Sequence, residues 1–438
     1  MGIIKTIVGS VIKRSFFAHN SIMIRKERKS MKTFQQLYED LLRQKVSVEE
    51  PLPKEYDPKH LDCLLYPEEY APVISTDTCA DCFERACQKS CIFDAIETGK
   101  EGELFINPSR CEGCAACIDV CKSNHLAASK DVLPAMRAVQ NASGPVYLMI
   151  APAFSGQFRG HVTAGKLRSA CKALGFTGMV EVALFADILT LKEALEFERH
   201  VREPGDFQLT SCCCPVWIAM IRKRYHELLP HVPGAVSPMV ACGRFLKRIH
   251  PDAVTIFAGP CLAKKKEAKE PDIADAVDYV LTFQEMQDIF DAAEISLEEL
   301  PEEEKEHASK AGRLYARTGG VSQAVEEMVR QLSPDGKIGV RCEQANGTKE
   351  CMEMMRRIQN KETDANFFEG MGCVGGCVGG PKAIIDSEKG KRYVDEYAKN
   401  SIYQTPLENP YVRKLLEELG FETVEELLED NTLLTREF

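Results

Sequence analysis

The fold of the first part of the chain is decided by residues 78–125, which read TCADCFERACQKSCIFDAIETGKEGELFINPSRCEGCAACIDVCKSNH. This stretch holds two groups of four cysteines, spaced C-x2-C-x4-C-x3-C and C-x2-C-x2-C-x3-C; they are Cys79, Cys82, Cys87 and Cys91, then Cys111, Cys114, Cys117 and Cys121. Three closely spaced thiolates can wrap one face of an iron–sulfur cubane, because the loop between them turns tightly around the inorganic sulfides. The repeated spacing therefore predicts two [4Fe–4S] clusters.

The fourth cysteine of each group is expected to bind the cluster of the other group, since it begins a segment that leads away from its own loop. The two predicted ligand sets are Cys79, Cys82, Cys87 with Cys121, and Cys111, Cys114, Cys117 with Cys91. The stretch resembles the bacterial two-cluster ferredoxins, although Ile92 and Lys122 replace the proline that usually follows each fourth cysteine. Zinc also binds C-x2-C pairs, but two interlocked sets in one short stretch favour clusters that transfer electrons.

The composition of the whole chain limits the classes of protein to which it can belong. It has 438 residues, 44% of them hydrophobic, and a formal net charge of −11. These values are typical of a globular protein of several domains and argue against a general nucleic-acid binder. No apolar run reaches the roughly 18 residues of a membrane span, so we expect no transmembrane segment. Nineteen cysteines in a chain that we expect to be cytoplasmic indicate metal binding rather than disulfides.

After Gly144 the hydrophobic pattern changes to alternating strands and helices. Apolar runs such as VYLMI and TIFA are each followed by polar or helical sequence, which predicts α/β layers with largely parallel strands. The expected organisation is an N-terminal extension with one helix (1–70), a two-cluster domain (71–130), an α/β domain (140–385) and a helical tail (386–438). The basic segment 1–30 is either a membrane-surface helix or an over-long start upstream of Met31, and no function is assigned to it.

Three further cysteine motifs lie far apart in the sequence, each at a predicted strand end or loop. They read TSCCCPVW (210–217), GPCLAKKKE (259–267) and EGMGCVGGCVGGP (369–381). In α/β folds functional residues tend to follow the C-terminal ends of strands, and glycine suits a backbone that passes close to a bulky group. The motifs offer four ligands for one more [4Fe–4S] cluster, namely Cys214, Cys261, Cys373 and Cys377. Buried structural cysteines are the alternative.

These three motifs resemble the signature segments of the [FeFe]-hydrogenases, and the resemblance extends over about residues 70–385. It implies a two-lobed α/β H-cluster domain, preceded by an α+β ferredoxin-like domain of the bacterial type. In that family four cysteines hold a cubane, and one of them bridges to a diiron subsite with carbon monoxide, cyanide and azadithiolate ligands. This H-cluster, together with the two [4Fe–4S] clusters, is the cofactor set that the resemblance implies.

Individual site residues are carried over by their positions in the motifs. Cys377 would be the bridging thiolate, and Cys213 would relay protons to the azadithiolate amine. Lys264 would hydrogen-bond a cyanide ligand, while Met371 would line the subsite. The segment 151–153 (Ala-Pro-Ala) resembles the loop that packs against the diatomic ligands.

Two glutamates are expected to carry protons onward from Cys213. Glu193 and Glu196 lie three residues apart on a predicted helix, so they share one face. They also match family positions that form a proton path. Exposed helix glutamates without a role are the alternative.

The chain departs from the usual family pattern at several positions. Cys212 adds a third cysteine to the first motif, Gly259 replaces a methionine, and the third motif continues as GGPK rather than GGGQP. Pro233 stands where a proton-relay serine is expected, and proline has no hydroxyl. We therefore expect Cys212, another acid or a water to replace this link. Such features indicate a divergent branch of the family.

The resemblance implies a ferredoxin-dependent hydrogenase of anaerobic hydrogen metabolism, which interconverts H2 with protons and electrons. Ferredoxin or flavodoxin would be its electron partner, and maturation proteins would deliver the diiron subsite. One alternative is an H2-sensing regulator of the same superfamily, although the tail 386–438 is too short for a signalling domain. The other is a Nar1-like iron–sulfur assembly protein without the diiron site, against which Cys213, Lys264 and the Cys373/Cys377 pair argue.

Overall fold

The computed structural model describes residues 31–438 apart from a few interruptions, at residues 49, 80–81, 159–161, 211–212, 304, 306 and 337. The expectations for the basic segment 1–30 and for the additional cysteine Cys212 therefore lie outside the described residues. No helix in the described part of the chain is long and apolar enough to cross a membrane.

The chain divides into two compact units. The first contains the described residues up to Cys111, together with Ala116–Asn141 and Asp288–Ile295. The second contains Glu112–Ala115, Ala142–Gln287 and Ser296–Phe438. Residues 31–70 thus cluster with most of the eight-cysteine stretch, whereas the tail 386–438 clusters with the α/β part.

The first unit consists of short helices and two small antiparallel strand pairs. Its elements are α1 (Phe34–Leu42), α2 (Pro58–Leu65), β1 (Val73–Ser75), α3 (Ala86–Ser90), β2 (Ile96–Thr98), β3 (Leu104–Ile106), α4 (Ala116–Asp119), β4 (Leu126–Ala128) and α5 (Val132–Asn141). Strand β1 pairs with β4, and β2 pairs with β3. The third cysteine of each group lies on a short helix, Cys87 on α3 and Cys117 on α4. The two cysteine groups therefore occupy equivalent places in a repeated arrangement.

The second unit alternates strands and helices along the chain. Its elements are β5 (Val146–Ile150), α6 (Ala164–Ala173), β6 (Gly178–Glu181), α7 (Ala183–His200), β7 (Gln208–Leu209), α8 (Pro215–Arg224), α9 (Pro238–Ile249), β8 (Val254–Gly259), α10 (Lys264–Glu267), β9 (Tyr279–Thr282), α11 (Phe283–Ala292), α12 (Lys310–Leu314), α13 (Gly320–Leu332), β10 (Cys342–Asn346), α14 (Thr348–Gln359), β11 (Phe367–Met371), α15 (Ser387–Lys399) and α16 (Pro410–Leu419). The last residues of α11 belong to the first unit.

Two parallel sheets form the core of the second unit, one for each lobe. The first has the strand order β6–β5–β8–β9, and the second has the order β10–β11–β7. All of these pairings are parallel, which confirms the prediction from the alternating pattern. Strand β11 is buried along its whole length, as expected for parallel strands that are covered on both faces.

Local sequence signals explain where several helices begin. Thr33 forms a capping box with Gln36 ahead of α1, and the Ser237 side chain accepts a hydrogen bond from Val240 N at the start of α9. Proline is the first residue of both α8 and α9, where its missing N–H is not needed. These caps fix the directions in which the segments after β7 and before β8 enter their helices.

Candidate functional site

Each of the three cysteine motifs follows the C-terminal end of a parallel strand. Cys261 comes two residues after β8, Cys373 comes two residues after β11, and Cys214 lies between β7 and α8. Strands β7 and β11 are neighbours in one sheet, and β8 is central in the other. The C-terminal ends of parallel strands meet at one edge of a sheet, so the topology can bring the motifs together.

The structure brings all four cysteines of these motifs close to one another. Burial raises the pKa of Cys261 to about 11, with a further increase from the charge of Cys214. Burial also raises the pKa of Cys377 to about 12, and the charges of Cys261 and Cys214 add to this. For Cys373 the pKa lies well above its usual value, because of burial first and then the charges of the other three thiolates. The four sulfurs therefore lie near one another, with Cys214 buried and the other three cysteines half-buried.

Four cysteine sulfurs are the donor set that iron–sulfur clusters take. Among the described residues, no group of three or more His, Cys, Asp or Glu side chains is arranged to hold a single metal ion. A [4Fe–4S] cubane instead takes each cysteine on a different iron. Its thiolate ligands are deprotonated by the metal, whatever their pKa in its absence.

The loop that carries Cys373 and Cys377 is shaped by glycine. Gly375 and Gly376 have φ values of +90° and +80°, a backbone conformation that costs other residues about 1 kcal/mol or more. A Cβ atom on Gly376 would lie 2.6 Å from the backbone nitrogen of Thr318. The Asn346 side-chain oxygen accepts hydrogen bonds from Gly375 N (2.5 Å) and from the Thr318 hydroxyl (3.0 Å). The loop is therefore held from two other segments.

Trp217 holds the segment that presents Cys214. Its Nε1 donates to the backbone oxygen of Thr210 at 3.1 Å, and its ring leaves no space for a side chain at Gly370 on β11. The Cys214 sulfur accepts a hydrogen bond from Gly372 N at 3.3 Å. The strand end of β11 and the start of α8 are thus fixed to each other around this sulfur.

Lys264 is a buried cation beside the four cysteines. Its Nζ lies 2.6 Å from Glu267 Oε2, yet neither atom has an aligned hydrogen bond within the described part of the chain. Burial alone would lower the pKa of Lys264, but the charge of Glu267 and the thiolates of Cys261 and Cys377 raise it above its usual value. The ammonium therefore keeps its charge and has unused hydrogen-bonding capacity.

The other residues expected near the diiron subsite are also at strand ends. Met371 is the last residue of β11 and is 1% exposed, and Cys213 is half-buried. Ala151 follows β5 and donates its N–H to Ala258 O on β8. A Cβ atom on Gly259 would lie 2.7 Å from the Phe257 ring and 3.1 Å from Ala151 Cβ. The small residue at 259 thus allows β8, the Phe257 ring and the Ala151 segment to pack closely.

The two glutamates of α7 are buried, so the reading of them as exposed helix residues is wrong. Glu193 is 3% and Glu196 is 8% exposed. Glu196 lies 3.5 Å from Lys192 Nζ and 3.3 Å from His200 Nδ1. The reason is that α7 is covered on nearly all sides from Ala183 to Phe197, so its charged residues do not mark a solvent-facing stripe. Pro233 is buried in the segment that leads to α9.

In the first unit, the four cysteines predicted for one cluster lie near enough for the charges of some to raise the pKa of others. The pKa of Cys79 is raised to about 11 by burial and then by the charge of Cys121. Burial raises the pKa of Cys87, and the charges of Cys121 and Cys82 contribute. This crossed grouping agrees with the predicted set. For the second set, Cys111 and Cys117 are buried, while Cys114 and Cys91 are half-buried.

The cysteine loops repeat an unusual backbone conformation at equivalent positions. Arg85 and Ala115, each two residues before the third cysteine of a group, have φ of +49° and +66°. Asp94 and Asn124, each three residues after the fourth cysteine, have φ of +51° and +53°. Such values are uncommon outside glycine, and their repetition shows that both loops turn in the same way.

Sequence reasoning missed three residues of the site. Glu267 could have been found from its spacing, because it lies one helical turn after Lys264. Asn346 gives no sequence signal for its contact with the Gly375 loop. The sequence gives Cys351 no role beyond that of a core thiol. In the structure it donates a hydrogen bond to Met371 O at 3.4 Å, and burial followed by the charge of Cys214 raises its pKa.

The chain is similar to known proteins over much of its length. Residues 144–381, more than half of the chain, match the family described as "Iron only hydrogenase large subunit, C-terminal domain". Iron hydrogenase 1 of Clostridium pasteurianum is 26% identical over 49% of this chain and 45% of its own length. The NADP-reducing hydrogenase subunit HndD of Solidesulfovibrio fructosivorans is 25% identical over 72% of this chain and 64% of its own length. The matches thus span less than two thirds of either relative.

The chain is also similar to a protein of another name and to solved structures. Protein NAR1 of Arabidopsis thaliana is 21% identical over 70% of this chain and 81% of its own length. The structure of apo [FeFe]-hydrogenase HydA1 from Chlamydomonas reinhardtii aligns with a TM-score of 0.55 and 22% identity, over 70% of this chain and 98% of that one. A structure from a study of [FeFe]-hydrogenase inactivation by oxygen gives a TM-score of 0.57 at 21% identity, with 70% and 99% coverage. These likenesses show the fold of the H-cluster domain.

Proposed function

Because this chain belongs to the iron-only hydrogenase family, we propose that it is an [FeFe]-hydrogenase, which interconverts H2 with two protons and two electrons. Family membership and the many cysteines support iron–sulfur cluster binding. The observation that carries the catalytic proposal is Lys264, a buried ammonium beside Cys261 and Cys377 with unused hydrogen-bonding capacity. A buried donor without a hydrogen bond is costly, and a cyanide ligand at this place would accept one from the Lys264 ammonium.

The proposed ligands of the H-cluster are Cys214, Cys261, Cys373 and Cys377, with Cys377 as the bridge to the diiron subsite. When bound, the H-cluster supplies the irons and diatomic ligands at which H2 is formed or split. The chain would hold it by the four sulfurs, and Lys264 would donate a hydrogen bond to a cyanide. The buried Met371 and the segment 151–153 would limit the access of water. Such a pocket strengthens every electrostatic interaction within it.

Protons require a separate path between this pocket and water. We propose that Cys213 exchanges protons with the site and that Glu193 and Glu196 carry them along α7. Both carboxyl groups are buried, as groups that conduct protons through a protein interior must be. Pro233 cannot contribute a hydroxyl, so the path does not use that position.

Electrons are proposed to pass through two [4Fe–4S] clusters held by the eight-cysteine stretch, as in a ferredoxin-like domain over about residues 71–130. The repeated left-handed residues and the mutual influence of Cys79, Cys87 and Cys121 support this proposal. Ferredoxin or flavodoxin is the proposed electron partner, and maturation proteins would deliver the diiron subsite. These partners imply a cytoplasmic protein.

Infrared spectroscopy of protein matured under anaerobic conditions tests the proposal. We expect CO and CN stretching bands together with H2 turnover by a reduced dye. Cys213→Ala is expected to keep the bands and to lose turnover by about 100-fold or more, because only a proton-transfer group is removed. Full turnover by that variant would refute the role of Cys213, and absence of the bands in the unmodified protein would refute the hydrogenase proposal.

A second candidate is an iron–sulfur assembly role, which the 81% coverage of the Arabidopsis NAR1 protein favours. Such a protein is expected to hold cubanes without CO and CN bands under the same conditions. An H2 sensor, in contrast, would show the bands with slow turnover. The infrared bands and the rate of H2 turnover therefore separate the hydrogenase, the assembly protein and the sensor.

A further inference from the structure

The peptide group that joins Met371 to Gly372 has hydrogen bonds at both of its ends. Its N–H, which belongs to Gly372, donates to Cys214 Sγ at 3.3 Å. Its carbonyl oxygen, which belongs to Met371, accepts from Gly347 N at 2.8 Å and from the Cys351 thiol at 3.4 Å. This peptide group thus connects a sulfur that is a proposed cluster ligand to a second thiol that no cluster is proposed to use.

Glycine at position 372 allows the peptide group to come close to the ligand sulfur. A Cβ atom on Gly372 would lie 2.6 Å from Val216 Cβ and 3.4 Å from Cys214 Sγ. A side chain there would collide with α8 and move the N–H away from the sulfur. The absence of a side chain therefore makes the N–H···S hydrogen bond possible.

The Cys351 thiol is a buried donor directed at the carbonyl of Met371. Its residue is 0% exposed, and burial raises the pKa of the thiol, so the sulfur keeps its proton. Its Sγ lies 3.4 Å from Met371 O and 4.0 Å from Ala345 O, so the nearer acceptor is Met371. Helix α14 is fixed at the same place, because Gly347 N donates to Met371 O and Cys351 N donates to Gly347 O at 3.0 Å.

Hydrogen bonds at the two ends of a peptide group strengthen each other, because each polarises the group further. A donor at the Met371 carbonyl therefore makes the Gly372 N–H a stronger donor to Cys214 Sγ. Hydrogen bonds to the sulfurs of an iron–sulfur cluster help to set its reduction potential. The reason is that an added electron increases the negative charge on the sulfurs, so an N–H donor stabilises the reduced state more than the oxidised one.

Resting on the cubane of the proposed function, we propose that Cys351 is a positioning residue that raises the reduction potential of this cubane through the Met371–Gly372 peptide group. The Cys351 S–H donates to Met371 O, and the polarised Gly372 N–H donates to Cys214 Sγ. The electron enters the cubane while the thiol proton stays on Cys351, so no bond forms or breaks. The role does not require the diiron subsite and can be tested before maturation.

The first test is a redox titration of the full chain before maturation, followed by electron paramagnetic resonance. The signal of the cubane is the one that Cys261→Ala removes. Cys351→Ala is expected to shift its potential to more negative values, so that at one fixed applied potential the ratio of oxidised to reduced cubane rises about 2- to 10-fold. Cys351→Ser keeps a hydrogen-bond donor and is expected to reverse most of this shift.

The serine variant separates the hydrogen bond from packing. Both substitutions remove the sulfur of Cys351, so lost packing alone would shift the potential equally in both. Equal shifts in Cys351→Ala and Cys351→Ser would therefore overturn the proposal, as would an unchanged potential in Cys351→Ala.

Cys242→Ala is the matched control. Cys242 is also 0% exposed and lies on α9, and burial alone raises its pKa, without a contribution from the charge of any other cysteine. We expect this variant to leave the potential of the cubane unchanged. A shift as large as that of Cys351→Ala would show that the potential responds to any lost buried thiol, which would overturn the specific role of Cys351.

The second test uses infrared difference spectra between the reduced and the oxidised protein before maturation. Added charge on Cys214 Sγ strengthens the hydrogen bonds at both ends of the peptide group, so the S–H stretch of Cys351 is expected to move to lower frequency on reduction. This feature should be absent in Cys351→Ala and present in Cys242→Ala. A difference spectrum of the unmodified protein without such a feature would overturn the proposal.

The outcomes separate this inference from the function on which it rests. If Cys261→Ala removes a signal and about four irons while Cys351→Ala leaves the potential unchanged, the inference is wrong and the proposed cubane stands. If Cys261→Ala removes neither, the proposed ligand set is wrong and the inference falls with it. If the potential shifts as expected but matured protein shows no CO and CN bands, the hydrogenase proposal is wrong and the role of Cys351 stands.

Discussion

Lys264 and Glu267 form a buried ion pair beside the four cysteines, and neither Lys264 Nζ nor Glu267 Oε2 has an aligned hydrogen bond among the described residues. Removing one member leaves an uncompensated charge in the interior, which typically costs 3–5 kcal/mol. Removing both charges costs much less, since no buried charge remains. The pair therefore allows electrostatic and packing effects to be separated.

We expect Lys264→Met to lower the free energy of unfolding by about 3 kcal/mol and to weaken the CO and CN bands after maturation. The double variant Lys264→Met/Glu267→Gln is expected to recover most of the stability but not the bands. Urea unfolding of the unmatured protein and infrared spectra of the matured protein measure the two effects. Bands of normal intensity in the double variant would show that Lys264 holds no cyanide.

The crossed ligand sets of the first unit give a prediction for iron content. Each predicted cluster contains about four irons, so Cys121→Ala should remove about four. Adding Cys79→Ala should remove no more, because Cys79 lies beside Cys121 and belongs to the same proposed cluster. Adding Cys114→Ala instead should remove about four further irons. An iron assay in which adding Cys79→Ala removes about four further irons and adding Cys114→Ala removes none would contradict the crossed assignment.

At the scale of the element, the Cys373–Cys377 loop depends on its glycines. Gly376→Ala places a Cβ atom 2.6 Å from Thr318 N at a φ of +80°, so we expect loss of the nearby cubane. Gly420, at the end of α16, has a φ of +91° with nothing within 4 Å of the added Cβ. Gly420→Ala is therefore a control for backbone strain alone and should cost about 1 kcal/mol.

Iron content and electron paramagnetic resonance of the two variants check this prediction. We expect Gly376→Ala to lack one cluster signal and Gly420→Ala to retain every signal. Equal iron content in both variants would mean that the loop moves away from Thr318 at little cost.

Sequence patterns predict many of the elements that carry the site, but they do not predict the contacts between those elements. Strands β5 and β8 contain the apolar runs VYLMI and TIFA, whereas β11 (FFEGM) includes Glu369 and was not predicted as a strand. The cysteines after β8 and β11 stand in recognisable motifs. The burial of Glu193 and Glu196 was not predictable, because a helix surrounded on all sides by other elements keeps some charged residues that its neighbours compensate. Contacts such as Asn346 with Gly375 join residues far apart in sequence, and no local pattern encodes them.

At the scale of the whole molecule, residues 425–438, which we call the C-terminal strap, contribute to the stability of the second unit through the buried side chains Leu427 and Leu434. Leu434→Ala removes a side chain with no exposure, and such truncations typically cost 2–5 kcal/mol. We expect a decrease of about 3 kcal/mol in the free energy of unfolding. Leu407→Ala is the matched control, since Leu407 is 44% exposed and should change stability by less than about 1 kcal/mol.

Urea or guanidinium titrations followed by circular dichroism measure this difference. A similar midpoint for both leucine variants would show that the strap is not packed as described. The sequence YVRKLLEELGFETVEELLED (411–430) of the tail predicts two amphipathic helices; the structure has α16 over its first half and only the 3-10 helix Glu425–Leu428 in its second. The extended end of the tail gave no periodic signal, because it is held by backbone hydrogen bonds and single buried side chains.

The pairing of β1 with β4 has a consequence for the order in which the first unit can be completed. The two strands enclose about 50 residues, and closing a loop of that length costs about 3.5 kcal/mol in chain entropy, against only three paired residues on each strand. If the clusters are bound by the crossed sets, the iron–thiolate bonds supply the remaining free energy. We expect the eight-cysteine stretch to close fully only on metallation, so that oxidative damage to either cluster would loosen the attachment of the other.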